Sequence, residues 1–249
     1  MINDNQKIEE DVNDDTWEWY KKIYRGKGRL SDYFDLDNPI IKNKRKYAMI
    51  RKNVSLDDNA KKMQISGDII FNFSSKGFKG QSRYDILKKY IKEIEEDVLR
   101  DVYITKLNNC CKYNYNIENC ALIPKQGNLQ NAKQGIGNDR GDTFIWALDE
   151  YFENGVEILL NHGTYENKKI LKSFLETIRK PGKHESTYNY CKLFFNITDK
   201  RLIDDLIELG SKTIDSELRA RRYIDLALKF WEKRKEFAES IKVNDSKKK

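Results

Sequence analysis

The chain has 249 residues, with 47 Lys and Arg against 40 Asp and Glu, and 35% of its residues are charged. Three Pro, four Cys and 13 Gly exclude collagen-like, disulfide-scaffold and coiled-coil compositions. The charged fraction exceeds the roughly 25% usual for globular domains, but 14 Tyr, 11 Phe and 4 Trp supply the aromatic mass that disordered chains lack.

The net +7 is unevenly spread. Residues 1–15 hold Asp4, Glu9, Glu10, Asp11, Asp14 and Asp15 against Lys7 alone, and 244–249 end in three lysines, so 16–243 carry 43 bases against 33 acids. This predicts an acidic disordered leader, one globular domain over 16–243 and a basic tail. A basic body attracts nucleic acid or another polyanion. The competing explanation is a Lys-rich solvated surface, since 22 Asn and the excess of Lys over Arg also follow from an AT-rich genome.

No run reaches the roughly 18 apolar residues of a membrane span, and the acidic start lacks the pattern of a signal peptide. The expectation is a cytoplasmic protein without a membrane partner. Cys110 and Cys111 are adjacent, Cys120 and Cys191 stand alone, and no C-x-x-C occurs. With His162 and His184 as the only histidines, a Cys/His zinc site of standard spacing cannot be assembled. No metal and no cofactor are therefore expected, and the cysteines read as small buried apolar residues.

In chain order, 16–24 is an aromatic element that breaks at Gly26 and Gly28. Pro39 after a turn signal predicts a helix into the basic stretch Lys42, Lys44, Arg45 and Lys46. The alternation Gly67 to Phe73 predicts a strand. A helix starting at Ser82, with Asp85 three residues on, carries an apolar stripe through Leu87, Ile91, Ile94, Val98 and Val102. Residues 117–124 read as a short buried strand stopped by Pro124. Helices are then expected over 139–160, with Gly155 as a possible break and 161–163 as its C-cap, and over 166–178 up to Lys180-Pro181-Gly182. Thr198 or Asp199 caps a helix through Leu206 that ends at Gly210, and Ile214 to Ile241 forms a long amphipathic helix edged by Arg219, Arg221, Arg222, Lys229, Lys233, Arg234 and Lys235. The fold class is α+β: a mostly helical domain with a small β-sheet and a long C-terminal amphipathic helix.

One segment stands apart. Residues 124–142 lie between a strand and a helix and hold Gly127, Gly135, Gly137 and Gly141. A glycine-rich backbone before a helix N-terminus presents free amides and the positive dipole end. Asn128, Asn131, Lys133, Gly135, Gly137, Arg140 and Asp142 are the candidate anion-binding set, with Asp139 beside them. The segment lacks the Gly-Lys-Ser/Thr ending of a Walker loop and the third Gly of a dinucleotide fingerprint. The competing reading is structural: turns, Asn138 as a helix cap, and Arg140 paired with an acid.

Other spacings are weaker. Arg179 and His184 have the R-x4-H spacing of a class of helical ribonucleases, but Pro181 between them forbids the helix this needs. Glu166-x-Lys168 starts a helix and has no aspartate-bearing strand before it. His162 reads as a helix-end histidine.

The order strand, Ile123-Pro124-Lys125, an Asn-containing loop (Asn128, Asn131, Lys133, Gly135), Asp139-Arg140-x-Asp142 and a helix ending Glu150-Tyr151-Phe152 resembles a family of bacterial and phage proteins without an assigned activity. Asp35-Leu36-Asp37 ahead of Arg45-Lys46-Tyr47 is similar to another stretch of that family. Here Gln134 interrupts the family's Lys-Gly, and Gly141 follows the Arg. The resemblance implies that the loop matters without naming a reaction.

Three functional readings follow. The first is a polyanion-binding protein, with nucleic acid ahead of a nucleotide. The second is an enzyme on a phosphate-containing substrate, a nuclease or nucleotide hydrolase, built around the loop set. The third is a protein-interaction component of a defence or counter-defence system docking through 211–243.

Overall fold

The computed structural model describes residues 14–42, 45–73, 83–114, 116–125, 140–160 and 164–246. The acidic leader before residue 14 and the final three lysines lie outside them. Eight α-helices surround one four-stranded antiparallel sheet within these residues, the mostly helical α+β architecture that the periodicities imply.

Helix α1 (Asp14–Tyr24) buries Trp17, Tyr20, Ile23 and Tyr24, which recur at helical spacing. Trp17 Nε1 donates to the Leu36 carbonyl at 3.0 Å, giving the indole a partner inside the core. The stretch after Pro39 is not helical. Strand β1 (Ile40–Lys42) pairs antiparallel with β2 (Arg45–Met49), Ile40 opposite Tyr47 and Lys42 opposite Arg45. The β-branched pair Ile40-Ile41 favours the pleated state, and Lys46, Tyr47 and Ala48 are the buried residues of β2.

Strand β3 (Gln64–Ile69) is central, pairing with β2 at Ala48–Ile65 and with β4 (Cys120–Pro124) from Ile65–Pro124 to Ile69–Cys120. Pro124 ends β4, where its missing N–H costs little. Beyond β3 the chain stays buried through Phe73 without a neighbouring strand, and Asn119 takes that role. Its Oδ1 accepts from Phe71 N and Trp231 Nε1, both at 2.9 Å, and its Nδ2 donates to Phe71 O at 2.7 Å and Asn114 O at 2.9 Å. All four bonds of a fully buried amide are satisfied.

The stripe expected as one helix over 82–102 is two helices, α2 (Arg83–Ile91) and α3 (Asp97–Tyr113). Glu93 N and Ile94 N bond the carbonyls three residues back, Tyr90 and Ile91, which tightens and ends α2. The register then shifts: Val98 and Val102 face water, while Tyr103, Leu107 and Cys110 are buried. Helix α4 (Gly141–Asn154) ends at Gly155, whose φ of 68° is the left-handed C-terminal conformation that glycine accepts.

Helix α5 (Tyr165–Thr177) starts on Thr164, whose hydroxyl accepts from Asn167 N. Helix α6 (Glu185–Tyr190) passes into a π-helical turn, Cys191–Phe195, closed by Asn196 at φ 56°. This region gave no periodic signal, because Tyr190, Cys191, Leu193, Phe194 and Phe195 are all buried and leave no polar face to alternate with. Helix α7 (Lys200–Gly210) is capped by Asp199, and α8 (Glu217–Ser246) completes the fold.

The core is continuous from α1 to α8. Phe71 and Phe73 meet Tyr223, Phe230 and Trp231 at ring-centroid distances of 5.1–6.2 Å. Among the described residues no helix is long and apolar enough to cross a membrane.

Candidate functional site

Of the anion-binding set, Asn128, Asn131, Lys133, Gly135 and Gly137, with Asp139, lie outside the described residues, as does His162. Arg140 and Asp142 are described, and they bind each other. Arg140 Nε donates to Asp142 Oδ1 at 3.0 Å and Nη2 to Oδ2 at 2.5 Å, a two-pronged pair with side chains 8% and 0% exposed. Nη1 donates to Lys212 O at 2.7 Å and Nη2 to Leu209 O at 3.1 Å. The guanidinium therefore ties the start of α4 to backbone carbonyls at and just beyond the end of α7. Within the described residues Arg140 is thus committed to Asp142 and to two backbone carbonyls, the pairing with an acid that the structural reading of the segment implies.

Gly141 and Gly210 make this approach possible. A Cβ on Gly210 would sit 2.2 Å from the Asp142 carbonyl oxygen and 2.8 Å from Trp146 Cβ, closer than any packed carbon. One on Gly141 would meet Ile70 and Phe71 at 3.0 Å.

Much of the basic outer edge of α8 is paired within the fold. Arg219 pairs with Asp215 at 2.6 Å, Arg221 with Glu217 at 2.6 Å, Lys233 with Glu236 at 2.9 Å, and Arg222 with both Asp205 and Glu208. Arg234 is 2% exposed, donates to the carbonyls of Glu118 and Cys120, and covers the Trp19 ring. The inner face, Ala220, Tyr223, Ile224, Ala227, Phe230 and Trp231, is core. Truncating 211–243 would therefore remove core residues together with the outer face.

Helix α2 is different. Residues 76–92 hold six bases, Lys76, Lys79, Arg83, Lys88, Lys89 and Lys92, against the single acid Asp85. Among the described residues no carboxylate lies within ion-pair distance of Lys88, Lys89 or Lys92. Lys88 Nζ stands 5.2 Å from the Tyr84 ring centroid and Lys89 Nζ 5.2 Å from that of Tyr90. Both rings are partly buried against the core. Lysine stems on tyrosine faces leave ammonium groups in water.

A second cluster joins α4 to α6. Asp149 and Glu153 are four residues apart, on one face of α4. His184, at φ 60° before α6, brings Nδ1 to 2.8 and 2.9 Å from the two Asp149 oxygens, and its backbone N donates to Glu153 Oε1 at 3.1 Å. Thr187 Oγ1 donates to Asp149 Oδ1 at 2.8 Å. One donor atom from each of Asp149, Glu153 and His184 lies within 4.8 Å of the other two.

Arg179 points away from this cluster, donating to both Glu176 oxygens and to Phe152 O. That bond to Arg179 holds the Glu176 carboxyl below its usual range. The R-x4-H pair thus shares no site here. The i, i+4 carboxylates were legible in the sequence, but nothing in it placed residue 184 beside them. Burial raises the Cys110 and Cys191 thiols strongly and Cys111 to about 11, which disfavours the reactive thiolate at these three.

Comparison with protein-family models, with curated proteins and with solved structures finds no match.

Proposed function

We propose that the protein binds nucleic acid electrostatically, through the α2 surface and not through α8. The carrying observation is that Lys88, Lys89 and Lys92 have no carboxylate partner among the described residues, the first two standing over partly buried tyrosines, whereas Arg219, Arg221, Arg222 and Lys233 of α8 meet carboxylates of their own chain. An unpaired lysine brings a full charge to a phosphate. One already paired must first lose its carboxylate, so its net gain is small. The arrangement supplies backbone contacts and no base-reading fork, which suits sequence-independent binding.

The test is fluorescence-anisotropy binding of a labelled RNA and a DNA oligonucleotide, after a high-salt wash of the protein. The triple variant Lys88→Gln, Lys89→Gln, Lys92→Gln is expected to lose most of the affinity. Arg219→Gln with Arg221→Gln is expected to lose little. The reverse order of effects, or no binding at low salt by the wild type, refutes the proposal. The loop at 126–139 keeps its place as the other candidate anion contact, tested by Lys133→Ala on the same oligonucleotides.

A further inference from the structure

We infer that Asp149, Glu153 and His184 form a binding site for a divalent transition-metal ion, independent of the nucleic-acid reading. The donor set is mixed, one imidazole and two carboxylates, which suits zinc, manganese or cobalt better than magnesium or calcium. This also explains why counting Cys/His spacings missed it: the ligands are an i, i+4 carboxylate pair and a histidine 31 residues beyond Glu153.

Two ligand atoms bound at about 2.05 Å and at right angles lie about 2.9 Å apart. The His184 Nδ1 distances to Asp149, 2.8 and 2.9 Å, already have that separation. Ion entry would displace the hydrogen from between them and turn the imidazole by about 45°, so that the Nδ1 lone pair aims at the ion, with the ligand atoms spreading to about 3.3 Å for tetrahedral zinc. Asp149 is 5% exposed, and Thr187 fixes one of its oxygens, the outer-sphere support that metal carboxylates generally have. Glu153 is exposed and can swing its carboxylate inward, while the His184 amide keeps it near.

The surroundings hold both signs of charge, with Lys200 Nζ 4.7 Å from the Tyr188 ring centroid. Tyr188 packs edge-on against His184 at 6.1 Å and donates to Asp204 at 2.5 Å, and Glu185 lies beside them with Lys200 as its partner. Three protein ligands leave coordination positions for water or a substrate oxygen, as in catalytic sites and unlike closed structural ones.

The experiment uses tag-free, chelator-stripped full-length protein, titrated with Co²⁺ by visible absorption and with Zn²⁺ by calorimetry. The expected results are one equivalent bound with a d–d band, loss of the band in His184→Gln, and affinity lower by about tenfold or more in Glu153→Gln. Circular dichroism checks each variant. If His184→Gln is unfolded, Glu153→Gln alone decides, because that residue is exposed. Absence of band and heat in the wild type overturns the site. So does binding that Glu153→Gln leaves unchanged, which would place the ion elsewhere.

Discussion

Replacing Arg140 by Ala separates a structural clamp from a ligand-binding residue. The change removes four hydrogen bonds and leaves Asp142, 0% exposed, without its cation. Removing one partner of a buried ion pair costs about 3–5 kcal/mol, because the remaining charge stays desolvated. The carbonyls of Leu209 and Lys212 also lose a donor, so about 4 kcal/mol is the expected loss. In a chain of 249 residues that lowers Tm by roughly 8–16 °C. Urea denaturation and calorimetry read it directly. Arg140→Lys keeps the charge but loses the fork and is expected to fall between. Arg140→Met with Asp142→Leu removes both charges and is expected to recover part of the loss. A stability change below about 1 kcal/mol in Arg140→Ala, accompanied by weaker anion binding, would refute the clamp.

Three other changes test the packing and the surface charges. Gly210→Ala forces α4 from α7 at the Asp142 carbonyl and is expected to cost about 3 kcal/mol in urea denaturation. A loss below about 0.5 kcal/mol would contradict the close approach. Asn119→Ala strands buried groups of Phe71, Asn114 and Trp231, at about 1–3 kcal/mol for an unsatisfied buried group. It should also shift Trp fluorescence through Trp231, and an unchanged spectrum would count against the bond. Bonds from Arg222 and then Lys212 hold Glu208 down to about 2. A depressed carboxylate stabilises above the unfolded pKa near 4.3 and loses that contribution as pH falls toward 2. Glu208 is half exposed, so wild type should exceed Glu208→Gln by only about 0.5–1 kcal/mol at pH 7. The difference should vanish near pH 2, and one that persists there would exclude the charge as its origin.

What could be read from the sequence depended on whether a segment has two unlike faces. Residues 165–177, 200–210 and 217–241 do, and their helices start at caps such as Thr164 and Asp199 that the sequence displays. The segment 190–195 buries every residue but Lys192 and so shows no two-faced pattern. The 82–102 stripe misled at Val98 and Val102, because a break of five residues changes the helical phase while the local spacing still looks regular. The hairpin at 40–49 was hidden by Pro39, which serves a helix start and a strand entry equally well. At the candidate sites, the pairing of Arg140 with an acid was one of the two readings open. The meeting of His184 with Asp149 requires α4 to cross α6, and no local pattern encodes that. The charge count showed an excess over 16–243, but only the ion pairs show that α8 contributes little of it.

The central claim is that the unpaired lysines on and just after α2 contact phosphate, and the salt dependence of binding tests it most directly. Each phosphate contact contributes about 0.7 to the slope of log affinity against log salt for single strands, and about 0.9 for duplex DNA. The slope for the Lys88→Gln, Lys89→Gln, Lys92→Gln protein is therefore expected to be shallower than that of the wild type by about 2–3. Equal slopes for the two proteins would contradict the account.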